Sequence, residues 1–399
     1  MKREIKTGVV ERIVNGGFGL IRSDTGIVFL KYVAPDEVVK YYVKERAKGI
    51  NWGEVVDILD PHPKRVVSEC EYYGECGGCT LSHLKYDDQL EIKSKILIND
   101  VLRIGKLDIK PDKIYSSPEF NYRARAKLKG MSNGKIGFIK KGTNEVMEIR
   151  NCLTVTSEIN RFISLWNSKD TMPFFHQLDI LFNRSDNKLY VYLSEKPKME
   201  SKEILDSFDD TIFSWRGNED SAESELKIGE FGYLVSPDTF FQVNMFQWEN
   251  MLNIADSFIG NNNVSIDLFT GNGFFIPLLL GKSEKVIGIE SNRRSVEMAK
   301  KKFKEAEFLR IPAEKYSLPD VEQIIVDPPR SGIPKGVMRN IVKVKPESII
   351  SISCSTASFA RDLSLFVKNG YSLKELVMID LFPQTAHVET ISLFLNADK

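Results

Sequence analysis

The chain has 399 residues, more than one comfortable core accommodates, and suits two or three domains of ordinary size. Hydrophobic residues at 42% and charged residues at 28% are those of a folded globular chain, which argues against disorder or a fibrous repeat. Fifty-five basic side chains cancel fifty-five acidic ones, so net charge offers no guide to a nucleic-acid partner, and no apolar run approaches a membrane span or a secretory leader. A cytoplasmic protein with no membrane partner is expected, and nothing in the sequence calls for an oligomer beyond a monomer.

Residues 5–60 alternate short β-type runs (TGVVERIV, FGLIRS, GIVFLKYV, GEVVDILD) with turn residues such as Asn15-Gly16-Gly17, the pattern of a small antiparallel barrel. Pro61-His62-Pro63 closes this unit, and a cysteine cluster follows at once. From about 87 to 104 the spacing of Leu90, Ile92, Ile96, Leu97, Val101 and Leu102 predicts an amphipathic helix. Residues 112–230 read as further strands and loops. Within them, residues 121–150 hold eight Lys or Arg against two acids, and 200–225 hold nine acids against two bases. The first stretch suits phosphates and the second repels them, although either could be a solvated face. After Phe240 strands and helices alternate, which predicts a mostly parallel sheet covered on both faces. The expected units are 1–60, 61–230 and 231–399.

Five cysteines are present. Cys70, Cys76 and Cys79 stand close together among glycines, Cys152 follows much later, and Cys354 is far from all four. An odd count without a leader argues against disulfides, and three thiols so close suit one metal centre with Cys152 as a fourth ligand. Spacing alone accepts zinc as readily as iron and sulfur.

In the last unit Asp267-Leu268-Phe269-Thr270-Gly271-Asn272-Gly273 follows a strand, where its glycines let backbone approach a ligand. Glu290 ends the next strand, seventeen residues beyond Gly273, where an acid accepts hydrogen bonds from ribose hydroxyls. Asp327-Pro328-Pro329 forms a rigid turn at the same sheet edge. With no third glycine and no phosphate-binding lysine, the loop suits S-adenosylmethionine better than NAD or ATP. Cys354 closes another strand there, a position that buried filler also occupies, and Glu389 opens the final strand.

Taken together, the segments CEYYGECGGCTLSHLKYDDQLEIK, Phe240-Phe241-Gln242-Val243-Asn244, DLFTGNG, VDPPRSG, SCSTASFARDL and FPQTAHVE resemble the RNA uridine-C5 methyltransferases over nearly the whole chain. The resemblance implies an α/β fold with a C-terminal Rossmann-like class I methyltransferase domain, an N-terminal OB-like TRAM barrel and a central β-rich iron–sulfur domain. It further implies that Cys70, Cys76, Cys79 and Cys152 hold a structural 4Fe-4S cluster, and that Gln242, Phe269, Gly271, Gly273, Glu290 and Asp327 belong to the S-adenosylmethionine site. Cys354 is then the nucleophile and Glu389 the base. A stacked base must be flipped out to reach them, with Arg123 or Arg125 of the basic stretch as the candidate phosphate or base contacts. Members with both barrel and cluster mostly modify 23S rRNA and some modify the tRNA T-loop, so rRNA is the expected partner ahead of tRNA. Thr270, Phe274 and Thr356 depart from the family's usual Cys, Asn and Pro. A cytosine-C5 methyltransferase would place its cysteine after proline, whereas Cys354 follows Ser353. A non-catalytic iron–sulfur RNA-binding protein is the alternative of another class.

Overall fold

The computed structural model of the chain describes residues 4–24, 26–47, 49–218 and 222–397. Its first sheet is formed by β1 (Lys6–Val9), β2 (Arg12–Val14), β3 (Phe18–Ser23), β4 (Gly26–Lys31), β5 (Val38–Ala47) and β6 (Ile50–Asp60), in the order β1-β5-β6-β4-β3-β2. Every pairing is antiparallel except a short parallel contact of β4 with β6. The turn between β2 and β3 uses Gly16 and Gly17 at φ +83° and +77°, a region that costs other residues free energy.

The inward residues of this sheet, including Ile21, Val28, Leu30 and Tyr41, do not close a core alone. They share it with Leu81, Leu84, Ile92 and Ile96, the last two on α1 (Tyr86–Asp100). The opposite side of that helix sends Leu97, and Val101 just beyond it, into the core that holds Phe359 and Leu363. So α1 is apolar towards two cores at once. It runs one residue earlier than expected and continues as a wide π-type turn over Val101–Gly105, ending at Lys106 with φ +62°.

The chain next lays down β7 (Lys113–Tyr115) and a second sheet. Its strands are β8 (Arg125–Gly130), β9 (Ile136–Ile139), β10 (Val146–Glu148), β11 (Gln177–Asn183), β12 (Lys188–Leu193) and β13 (Thr211–Trp215), ordered β10-β9-β8-β11-β12-β13. This stretch is not only strands and loops. Helix α2 (Ser157–Ser168) buries Ile159, Phe162, Ile163 and Trp166 on the sheet, with the short α3 (Lys202–Asp206) nearby. A hairpin of β14 (Ser224–Ile228) and β15 (Phe231–Val235) leads to α4 (Trp248–Phe258).

The remainder alternates β16 (Asn262–Leu268), α5 (Ile276–Leu280), β17 (Ser283–Glu290), α6 (Arg293–Lys302), β18 (Glu307–Arg310), β19 (Gln323–Val326), α7 (Lys335–Val344), β20 (Ser348–Ser353), α8 (Thr356–Lys368), β21 (Tyr371–Ile379) and β22 (Glu389–Asn396). The sheet order is β18-β17-β16-β19-β20-β22-β21-β7. Only β22 runs against its neighbours. Helices cover both faces, so β19 and β20 are buried at every position and, apart from Gln323, carry only apolar or small residues. The chain builds outwards from β16 through β17 and β18, then returns to place β19 on the other side. That reversal opens a crevice at the carboxyl ends of β16 and β19, where ligands of such sheets bind. Among the described residues no helix is long and apolar enough to cross a membrane.

Candidate active site

The crevice is walled by the loop after β16. Phe269, Gly271 and Gly273 take φ of +65°, +55° and +85°, so the chain turns sharply here. A left-handed Phe269 costs about 1 kcal/mol, strain of a kind that collects at ligand sites. A Cβ on Gly271 would meet nothing within 4 Å, so this position borders open space. Glu290, ending β17, accepts the Gly271 N–H on Oε2 at 3.2 Å and the Ser291 and Asn292 N–H groups on Oε1, both at 2.6 Å. Its Oε2 keeps a lone pair for a further donor such as a ribose hydroxyl.

On the other wall Asp327 follows β19, and Gln242 Nε2 donates to its Oδ2 at 3.3 Å. Burial pushes the Asp327 carboxyl up to about 7, against the opposing pull of that hydrogen bond. Asp267, which the sequence reading did not single out, lies within β16 just behind the loop and is 1% exposed. The Thr270 hydroxyl donates to its Oδ2 at 2.6 Å, while Oδ1 is buried without a hydrogen-bond partner. Burial, assisted by the charges of Asp327 and Glu290, drives the Asp267 carboxyl up to about 8. Thr270 therefore has a definite task where the family usually has cysteine. Phe274 likewise replaces asparagine by packing in an aromatic cluster, stacked on Tyr233 with ring centroids 5.8 Å apart. Thr356 accepts from Asn15 Nδ2 at 3.3 Å and donates to Asp100 Oδ2 at 2.6 Å, which ties the first sheet, α1 and α8 together.

Cys354 and Glu389 are brought together by strand register. β20 and β22 pair antiparallel with Ser353 opposite Thr390, so the next step along both strands sets Cys354 opposite Glu389. Cys354 immediately precedes α8, whose Ser355 cap accepts the Ser358 N–H at 3.3 Å, and the positive end of that helix favours a thiolate. Burial, then the charges of Glu389 and Asp327, nonetheless push the thiol up to about 12, with Arg330 pulling the other way. Glu389 is 4% exposed, against the usual solvated glutamate at a strand start. Burial first and Asp327 second hold its carboxyl well above the usual range, again opposed by Arg330.

Phe240 is 64% exposed, two residues from Gln242, a large apolar face turned to solvent beside a catalytic-type cluster. It borders a cavity of about 270 Å³ with Arg123, Arg125 and Lys127. Arg125 is not free to meet RNA, since its Nη1 and Nη2 donate to the Phe241 and Pro237 carbonyls at 3.4 and 2.8 Å. Arg123 has a buried Nε without a hydrogen-bond partner.

The other four cysteines lie apart from this crevice and none is in a disulfide. Cys70, Cys79 and Cys152 line one cavity of about 420 Å³, and Cys76 and Cys152 pack against the core of the second sheet. Burial raises the Cys70 and Cys76 thiols and takes Cys79 up to about 12, and each of the three also feels the charge of Cys152. Among the described residues no three His, Cys, Asp or Glu side chains form a group that could hold a metal ion.

The model of the tRNA (Uracil-5-)-methyltransferase family matches residues 303–397, from the end of α6 through β22. An uncharacterized RNA methyltransferase of Aquifex aeolicus is 31% identical over 96% of this chain and 97% of its own length. The 23S rRNA (uracil(1939)-C(5))-methyltransferase of Legionella pneumophila strain Corby is 28% identical over 97% of both chains. Among solved structures, the Pyrococcus abyssi tRNA (uracil-54, C5)-methyltransferase in complex with S-adenosyl-L-homocysteine superposes with a TM-score of 0.75 at 26% identity, covering 98% of this chain and 99% of its own. With end-to-end similarity of this kind and the crevice described above, the chain belongs to the RNA uridine-C5 methyltransferase family and is an RNA (uracil-C5) methyltransferase that uses S-adenosylmethionine.

Proposed function

We propose that the protein methylates C5 of a uridine in 23S rRNA, with Cys354 as nucleophile and Glu389 as base. The observation that supports this best is the register that sets the two side chains opposite each other at the carboxyl edge of the sheet, beside Asp327. C5 of uracil is too weak a nucleophile to take a methyl group unaided. Attack of the Cys354 thiolate on C6 forms an S–C6 bond and turns C5 into an enolate carbon. S-adenosylmethionine, when bound, supplies the methyl group, and Gln242, Phe269, Gly271, Gly273, Glu290 and Asp327 would hold it. Glu389 then takes the C5 proton, the C5=C6 bond re-forms and the thiolate leaves. A carboxyl whose surroundings favour its protonated form suits a group that must pull a proton from carbon. The target base must leave its stack to reach this crevice, and the exposed ring of Phe240 offers it a stacking face.

In this reading residues 1–60 form a TRAM-like OB barrel, 61–230 an iron–sulfur and RNA-binding unit, and 231–399 the methyltransferase domain of a monomer that works in the cytoplasm. Cys70, Cys76, Cys79 and Cys152 would hold a 4Fe-4S cluster with a structural role. Iron and acid-labile sulfide measured in anaerobically purified protein should both be present in near-equal amounts, and zinc in their place would overturn the cluster. The end-to-end likeness to the Pyrococcus abyssi enzyme favours a second reading, in which the substrate is tRNA. Mass spectrometry of 5-methyluridine in rRNA and tRNA from cells with and without the gene decides between them. Loss from 23S rRNA alone is expected; loss from tRNA alone establishes the second reading, and loss from neither sinks both.

A further inference from the structure

Glu389 is delivered to the crevice by the crossover between β21 and β22, residues 380–388. Such connections normally run over the surface, yet Asp380 and Gln384 are 1% and 3% exposed. The crossover is held by α1, which belongs to no strand pairing of the catalytic sheet. Lys93 Nζ donates to Asp380 Oδ1 at 2.6 Å and to the Phe382 carbonyl at 2.9 Å, in an ion pair closed to solvent. One turn earlier Gln89 makes a reciprocal pair with Gln384. Its Nε2 donates to Gln384 Oε1 at 3.1 Å, and its Oε1 accepts the Gln384 N–H at 2.9 Å. Gln384 sits at φ +69°, where an L side chain does not rest without support. Its carbonyl accepts the N–H groups of Thr80 and Leu81, both at 2.9 Å.

Buried ion pairs contribute little net stability, and apolar side chains would fill the same space as well. What the pair and the reciprocal amides do supply is direction: each contact fixes both the position and the angle of the chain that ends in Glu389. We propose that Gln89 and Lys93 are positioning residues for methyl transfer, clamping the 380–388 crossover so that Glu389 stays opposite Cys354. The inference rests on the reading of Glu389 as the base.

The test compares Gln89→Leu, the double variant Lys93→Met with Asp380→Asn, and Glu389→Gln in the full-length enzyme. Rates are expressed per folded molecule able to bind S-adenosylmethionine. A misplaced base should lower kcat about 10- to 100-fold with little change in KM for RNA. It should also let a protein–RNA adduct that survives denaturing gels accumulate, as in Glu389→Gln. The double variant removes both charges together, so it leaves no unpaired charge buried, as either single replacement would. Normal kcat and no adduct in the clamp variants, with adduct in Glu389→Gln, would overturn the clamp and leave the base in place. No adduct in Glu389→Gln would overturn the base and the clamp with it.

Discussion

Cys354 sits where its thiol is hard to ionise, among carboxylates and out of water, with the start of α8 and Arg330 as opposing influences. The thiolate must nonetheless form for attack, so kcat/KM, which reports groups of the free enzyme, should rise with pH from roughly 6 to 9. A flat profile over that range would mean that ionisation of Cys354 does not limit the reaction. Cys354→Ala should abolish methylation while S-adenosylmethionine affinity, followed by calorimetry, stays near that of the parent; turnover in this variant would end the nucleophile assignment. Asp267 leads to a prediction about stability. Its carboxyl is raised from an ordinary 3.8 to about 8, so the folded state binds a proton that the unfolded state gives up, and stability is lost as pH rises through that window. Asp267→Asn should therefore raise Tm at pH 8, by on the order of a few kcal/mol in unfolding free energy, and leave it unchanged near pH 4. Equal shifts at both values would show that the effect is packing. Cys354, Glu290 and Asp327 were legible because chemistry-bearing residue types stood at strand ends. Asp267, inside a strand, and Phe240, whose exposure only the fold defines, gave no such signal.

At the scale of elements the period of apolar residues carried most of the information. The helix expected from about 87 to 104 was legible from its spacing, and so was the alternation of strands and helices expected after Phe240. Helix α2 was passed over although Ile159, Phe162, Ile163 and Trp166 follow helical spacing, because β-prone Val and Phe residues surround it in sequence. The π-type turn after α1 was not legible, since it arises from a tertiary contact. A Cβ placed on Gly105 would lie 3.0 Å from the Ala360 carbonyl oxygen, a tight contact that presses the turn against α8. Gly105→Ala should force these segments apart and cost about 1–3 kcal/mol in denaturant unfolding. A loss below a few tenths would mean that the seam yields freely.

For the whole molecule, the first sheet is more than an appendage on a tether. Its apolar face and that of α1 form one core, so removing residues 1–60 would strip cover from Leu81, Leu84, Ile92 and Ile96. The truncated chain should bind a hydrophobic dye and melt well below the full chain. A truncated chain with unchanged Tm would show that the shared core is dispensable. None of this sharing was visible in the sequence, where Pro61-His62-Pro63 reads as a clean boundary. Punctuation marks where the backbone changes direction and carries no information on which side chains meet afterwards.

The reversed direction of β22 has a consequence for how the reacting pair comes into being. β20 and its cysteine leave the ribosome first, β21 follows, and β22 must then enter between them. The short crossover lets β21 and β22 close as a hairpin before they meet β20. Cys354 therefore has no carboxylate opposite it until that hairpin docks, one of the last pairings in the order of synthesis. A half-made chain carries the thiol without its partner, and reactivity arrives together with completion of the sheet.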